Sequence, residues 1–159
     1  MNSAKAPTAL PYDDLDVIDA RAPRANQAVV GTIALIAVLT GWWGLVALLA
    51  LQLAVGLRFG RRYCLPCVFY FEVIQPRFGE GEIEDSRPPR FANQVGVAFL
   101  GASTVAYALG GDVVGTVLAS MVAALALLAA ATGLCVGCEL YKLGARFRGI
   151  RPGHFDRID

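Results

Sequence analysis

Three long stretches of this chain, residues 25–57, 91–111 and 113–138, contain no Asp, Glu, Lys or Arg. A helix that crosses a hydrocarbon core of roughly 30 Å needs about 20 predominantly apolar residues, and each run is long enough. Of the 159 residues, 56% are hydrophobic and only 17% are charged. That leaves too little polar surface to cover a water-soluble bundle of this size. The chain therefore reads as an all-α integral membrane protein with the lipid bilayer as its first partner. Its net charge of +1, with no basic helix or ribbon fit for a groove, gives no case for binding nucleic acid.

The first run has to be divided. As a single helix its 33 residues would extend roughly 50 Å, at about 1.5 Å per residue. That overshoots even a strongly tilted span. Thr40-Gly41 offers a break, because glycine weakens a helix, and the Trp42 and Trp43 that follow suit the membrane–water boundary. The spacing predicts helices near 24–39 and 42–58, then two more near 91–109 and 113–136 around the turn Gly110-Gly111-Asp112. Four transmembrane helices in two hairpins is the expected fold.

All 14 Lys and Arg residues lie on the side shared by the termini and the central linker, and neither hairpin turn has any. The positive-inside rule then places both termini and residues 59–90 in the cytoplasm of a cell with this protein in its inner (plasma) membrane. The first two dozen residues lack the apolar region of a cleaved signal and carry Asp13, Asp14, Asp16 and Asp19. They read as a polar, poorly ordered tail.

The two halves share an order of motifs. "APRANQ" at 22–27 is matched by "PPRFANQ" at 88–94, a hairpin follows each, and each half leaves through Cys-x-x-Cys-x-x-Tyr. Cys64, Cys67 and Tyr70 are displaced from Cys135, Cys138 and Tyr141 by the same 71 positions. A unit that crosses twice keeps its orientation, so the copies would be parallel repeats about an axis along the membrane normal. The expected segments are a polar cytoplasmic tail (1–20), a first repeat with "CLPC" (21–74), a cytoplasmic linker (75–87), a second repeat with "CVGC" (88–149) and a tail (150–159). The stretch "CVFYFEVI" after the first hairpin is too short to span and should lie along the membrane interface.

The four cysteines carry the chemistry. At helical rise both pairs sit roughly 35 Å from the outer turns, at the cytoplasmic boundary. The cytoplasm is reducing, so paired cysteines there point to metal binding or transient redox work. In the redox reading, Cys64 is the favoured nucleophile, with Arg61 and Arg62 just before it and a proline at 66 able to open a helix, and Cys67 resolves. Cys135 and Cys138 form a second pair, with Cys135 placed near a helix C-terminus, where the macrodipole opposes a thiolate. In the metal reading, Cys64, Cys67, Cys135 and Cys138 bind one zinc, or an iron–sulfur cluster, and fasten the two repeats together. In a third reading the cysteines only pack.

Other candidates are weaker. His154 is the only histidine and reads as solvated. Asn26, Gln27, Asn93 and Gln94 stand at helix entries, where bonding to backbone groups or headgroups outweighs substrate binding. Gln52, Ser103, Thr104, Tyr107 and Ser120 read as interhelical contacts. Gly31, Ala34, Gly96, Ala102, Ala123 and Ala124 should allow close packing. No ionisable residue lies deep in a span, which counts against a proton-coupled transporter.

The ordered trio "DARAPR" (19–24), "EDSRPPRFANQ" (84–94) and "GLCVGCELY" (133–141) resembles a bacterial integral-membrane family, the DUF4395-like proteins, over about residues 17–148. The resemblance implies a small multi-span protein and carries over the Cys135/Cys138 motif with Gly137, Glu139 and Tyr141. It also implies a sulfur or redox setting, since such proteins are often encoded near thioredoxin-like and sulfurtransferase proteins. The resulting expectation is thiol–disulfide redox or sulfur handling with such a partner. The alternative is a non-enzymatic protein with a structural four-cysteine site, and whether the chain is an enzyme stays open.

Overall fold

Two carboxylates start the long helices. In the computed structural model, which describes residues 10–13 and 15–149, Asp19 ends strand β1 (Val17–Asp19) and Asp85 ends strand β2 (Ile83–Asp85). Oδ1 of Asp19 accepts the Arg21 backbone N–H at 2.9 Å, and Oδ1 of Asp85 accepts that of Arg87 at 2.9 Å. Each bond satisfies one of the free donors at a helix start and sets negative charge at the positive end of the helix dipole. Helices α1 (Arg21–Thr40) and α5 (Arg87–Ala108) follow. The break expected at Gly41 is present: its φ of 69° is the left-handed conformation that closes α1. Helix α2 (Trp43–Phe59) then returns, and α6 (Asp112–Thr132) returns after Gly110-Gly111.

These four helices form a closed ring. The most extensive contacts run between halves, α1 along α6 and α2 along α5, while α1–α2 and α5–α6 complete the circuit. Small residues set the approach of α1 to α6: a Cβ on Gly31 would meet the Leu127 side chain at 2.8 Å. Val30, Ala34, Val46, Leu49, Leu100 and Ala119 are buried in the shared core. Ser103 Oγ donates to the Gly115 carbonyl at 2.7 Å, and the Tyr107 and Thr116 hydroxyls bond at 2.8 Å, so these two make the interhelical contacts expected of them. Gln52 instead donates to the Tyr63 carbonyl beyond its helix, and Thr104 bonds back to Leu100 in its own.

The outside of the ring is apolar, with Leu39, Leu48, Leu51, Val105, Leu109 and Val113 all exposed. Helices α1 and α6 are long and apolar enough to cross a membrane, and α2 is a shorter apolar helix of 17 residues. Helix α5 is 22 residues long but carries Arg87, Arg90, Asn93 and Gln94 in its first turns.

At one end the ring is capped. Strands β1 and β2 pair antiparallel, Val17 opposite Asp85, Ile18 opposite Glu84 and Asp19 opposite Ile83. The end of the segment expected as a loose tail is thus a strand, tied further by Arg61, which donates to the carbonyls of Pro11, Leu15 and Val17. Residues 1–9 and the tail 150–159 with His154 lie outside the described residues. In the stretch expected along the interface, Tyr70 and Phe71 turn inward while Phe69 and Val73 stay exposed. Helix α3 (Leu65–Phe69) continues through a π-helical turn (Tyr70–Ile74) into α4 (Gln75–Phe78). Tyr70 and Phe71 are buried with Ala22, and Tyr12 and Ile18 pack against them.

Asp19 explains that inward turn. It is 2% exposed, and a carboxylate so deeply buried needs donors. Its Oδ2 accepts from the Tyr70 hydroxyl and the Gly81 backbone N–H, both at 2.9 Å, and from Gln75 at 3.5 Å. Asp19→Ala should leave buried donors unsatisfied and cost about 3 kcal/mol of stability, whereas Asp85→Ala, which mainly uncaps α5, should cost about 1 kcal/mol. Thermal unfolding of the purified variants checks this, and equal shifts would show that Asp19 is not the organising group.

Candidate functional site

The first cysteine of each pair takes up nearly the same backbone conformation in the two halves. Helix α6 stops at Gly133, whose φ is 77°, and the chain turns before Cys135. Cys135 is extended, with φ −87° and ψ 107°, and forms the N-cap of a new helix, α7 (Val136–Phe147). Its sulfur accepts the Cys138 backbone N–H at 3.4 Å. The expectation that α6 runs to 136 and leaves Cys135 near a helix C-terminus is therefore corrected. Glycine at 133 takes a conformation that ends the helix, and the dipole facing Cys135 has the opposite sign from the one expected. Cys64 has nearly the same conformation, with φ −91° and ψ 101°, at the start of α3. It is joined to Cys67 in a disulfide, with Cα atoms 5.2 Å apart, while Cys135 and Cys138 are free thiols.

Close packing holds both pairs in place. A Cβ on Gly56 would stand 3.1 Å from the Cys64 Cβ, so α2 carries the first pair. A Cβ on Gly137 would meet the Ala92 Cβ at 2.8 Å, so α7 is pressed onto α5. Arg24 of α1 lies directly over the end of α6: a Cβ on Gly133 would fall 2.0 Å from its Nη2. A guanidinium at a helix C-terminus faces free carbonyls and the negative end of the dipole.

All four cysteines line one cavity of about 760 Å³ at the capped end of the ring. Asn26 and Asn93 line it too, and Asn26 Nδ2 donates to Asn93 Oδ1 at 3.3 Å. These asparagines bond each other across the halves. Asn26 Oδ1 in turn lies 3.9 Å from Cys64 Sγ. The two cysteine pairs share the cavity without forming a ligand set: among the described residues no three His, Cys, Asp or Glu side chains are placed to hold a metal ion. The residues present do not assemble the four-thiolate zinc or iron–sulfur site.

The free pair is strongly polarised. A hydrogen bond from the Cys138 side chain lowers the Cys135 thiol to about 6, against the opposing effect of burial. The backbone N–H groups of Cys138 and Gly137 and the charge of Lys142 act in the same downward direction. Cys138 is pushed well above the usual thiol range by that hydrogen bond, by burial and by the neighbouring Cys135 charge. Lys142 is held close by Glu139 at 3.0 Å, and that hydrogen bond raises the Lys142 pKa.

Arg24 and the Asn26–Asn93 pair were not singled out as site residues by sequence reasoning. The signal for them was the matched "PR…ANQ" order, whose members converge on the cavity from α1 and α5.

Because the Cys135 thiolate dominates above about pH 6, its alkylation rate should climb through pH 6 and level off near neutrality. An ordinary thiol climbs only near about 8.5. Stability linked to this group is fully present at pH values above the ordinary thiol range and is lost as the pH falls through about 6. Cys138→Ala removes the largest cause and should move the alkylation midpoint upward. A profile for the unaltered chain centred above pH 8 would rule out the activated thiolate.

No curated protein and no solved structure matches the chain. A sequence model described as domain of unknown function (DUF4395) matches residues 18–146, which takes in the ribbon, the ring and both cysteine pairs. The chain belongs to the DUF4395 family.

Proposed function

We propose that this chain is a four-span inner-membrane protein whose Cys135–Cys138 pair carries out thiol–disulfide exchange, or passes on sulfur, with a thioredoxin-like or sulfurtransferase partner in the cytoplasm. The observation that carries the reading is the Cys135 sulfur at the N-cap of α7, bonded by the Cys138 N–H and open to the cavity. A helix N-terminus favours a thiolate, and the thiolate is the nucleophile in disulfide exchange.

The chemistry runs in two steps. The Cys135 thiolate attacks one sulfur of the partner's disulfide, forming a mixed disulfide and releasing the partner's other sulfur as a thiolate. Bonded in that way, Cys135 no longer carries the charge that holds the proton on Cys138. Cys138 then gives up its proton and attacks the Cys135 sulfur, which closes the Cys135–Cys138 disulfide and frees the partner as a dithiol. The Cys64–Cys67 disulfide is the oxidised form of the same motif. With both pairs on one cavity, the protein carries one oxidised and one reduced couple.

The membrane reading rests on the apolar outer face of the ring and on Trp42 and Trp43 exposed at the α1–α2 turn. We read α1, α2, α5 and α6 as the spans, with the cap and both termini cytoplasmic. The two halves are read as parallel copies of one unit, supported by the matched Asp19 and Asp85 caps, the matched conformations at Cys64 and Cys135, and the facing Asn26 and Asn93.

A Cys138→Ser variant mixed with an oxidised thioredoxin should accumulate a mixed disulfide through Cys135, and Cys135→Ser should accumulate none. Anaerobically purified protein with about one zinc per chain, and thiols unreactive until chelation, would overturn the redox reading. For the topology, reporter fusions at Gly41 and Gly111 should report the outer side; cytoplasmic behaviour at either would remove the four-span arrangement.

A further inference from the structure

The thiols of Cys135 and Cys138 are free and partly buried. They line a cavity of about 760 Å³, a volume within the usual range for small-molecule sites of about 300–1,000 Å³. The lining is polar at its centre and carries an excess of positive charge. Six cationic side chains face four carboxylates. Lys142 and Glu139 pair with each other, and Arg61 is engaged by three backbone carbonyls. Arg21, Arg58, Glu82, Glu84 and Asp85 make no ion pair among the described residues, and neither do Arg24 and Arg90. Arg24 and Arg90 come from α1 and α5, at the matched "PR" positions, and so approach the cavity from both halves. Arg24 lies over Gly133, two residues from Cys135. Guanidiniums without a carboxylate partner, Arg24 and Arg90 among them on the same cavity as the Cys135 thiol, are the features a small anionic substrate would meet.

We propose that the cavity binds a low-molecular-weight disulfide bearing carboxylates, held by Arg24 and Arg90 while Cys135 attacks it. The proposal rests on the redox reading above and names its substrate class. The Cys135 thiolate displaces one half of R–S–S–R as RS⁻ and forms Cys135–S–S–R. Cys138 then displaces the second RS⁻ and closes the Cys135–Cys138 disulfide, giving up its proton. Two electrons pass from the dithiol to the small disulfide, and a cytoplasmic thioredoxin-like dithiol returns them by the exchange described above run in reverse. Anionic lipid headgroups share the charge that Arg24 and Arg90 would recognise, so the test separates the two sources.

The full chain in neutral phosphatidylcholine nanodiscs is reduced at Cys135–Cys138 and exposed to oxidised glutathione, neutral hydroxyethyl disulfide or cationic cystamine. Each rate is normalised to that of the same probe with a free dithiol in solution. Oxidised glutathione should lead the neutral probe by about tenfold or more, the usual scale of charge focusing in a cleft. That lead should shrink with added salt. Arg90→Gln, and Arg24→Gln with Arg90→Gln, should bring the ratio of the two rates towards one; the salt dependence of the unaltered chain keeps the test decisive should the double variant not fold. Equal normalised rates for the three probes in the unaltered chain would overturn the proposal. So would loss of the preference in phosphatidylglycerol nanodiscs, which would assign the arginines to headgroups. Oxidation by a thioredoxin disulfide with no reaction of any small probe would overturn the substrate class and leave the redox reading standing. Failure of protein and small disulfides alike would remove both.

Discussion

A single buried carboxylate ties together three parts of the chain that are far apart in sequence. Asp19 starts α1 through the Arg21 N–H, receives the Tyr70 hydroxyl beyond the first cysteine pair, and receives the Gly81 N–H of the linker. Burial of an unpaired charge is costly, so each donor is needed to keep the group inside. In return, Tyr70 and Phe71 after the first cysteine pair are drawn back onto the start of α1. Tyr70 reflects the same constraint from its side, since burial and the bond to Asp19 push its hydroxyl above the usual tyrosine range. The strand pairing of Val17–Asp19 with Ile83–Asp85 then brings the start of α5 alongside the start of α1.

That pairing decides where the cavity lies. With α1 and α5 beginning side by side, Asn26 and Asn93 meet, and Arg24 and Arg90 converge on the space below the ribbon. The helices cannot close this end of the ring as tightly as its middle, where Gly31 admits Leu127 and alanines line α6. Polar side chains replace small ones as the core gives way to the cap. The cysteines enter at this transition because α2 and α6 both end there, each at a glycine that lets the chain turn.

Much of the helical framework was legible in the sequence because it depends on local properties. The uncharged runs, the glycine at 41 and the paired glycines at 110 and 111 fixed helix length and turns to within a few residues. The cap was not legible, because its determinants are long-range. Nothing local marks Asp19 as buried or the linker as a strand partner, and "CVFYFEVI" shows no periodicity that would tell an interfacial segment from one folded onto a carboxylate. The end of α6 was misplaced for a related reason. Residues 133–138 remain uncharged and apolar in composition, so hydropathy continues across Gly133 while the backbone stops. Motif order pointed to both cysteine pairs, but only the packing of α1 on α6 and α2 on α5 places them around one space.

The first cysteines of the two pairs share a backbone conformation but face opposite surroundings, and this difference bears on their chemistry. Cys64 is 8% exposed, pressed against Gly56, with an amide oxygen of Asn26 beside its sulfur. An acceptor next to sulfur repels a thiolate and tolerates a disulfide or a protonated thiol. The helix it begins continues through the π-helical turn to Phe78, so the two first cysteines differ in the groups that face the sulfur and not in the helix behind it. Cys135 is less buried, and its sulfur accepts an N–H. Donors stabilise charge on sulfur, as an acceptor in a dry pocket cannot. The same four-residue motif therefore meets a hydrogen-bond acceptor in one half and donors in the other. The asymmetry comes from what each neighbouring helix presents to the sulfur, a property absent from the motif itself.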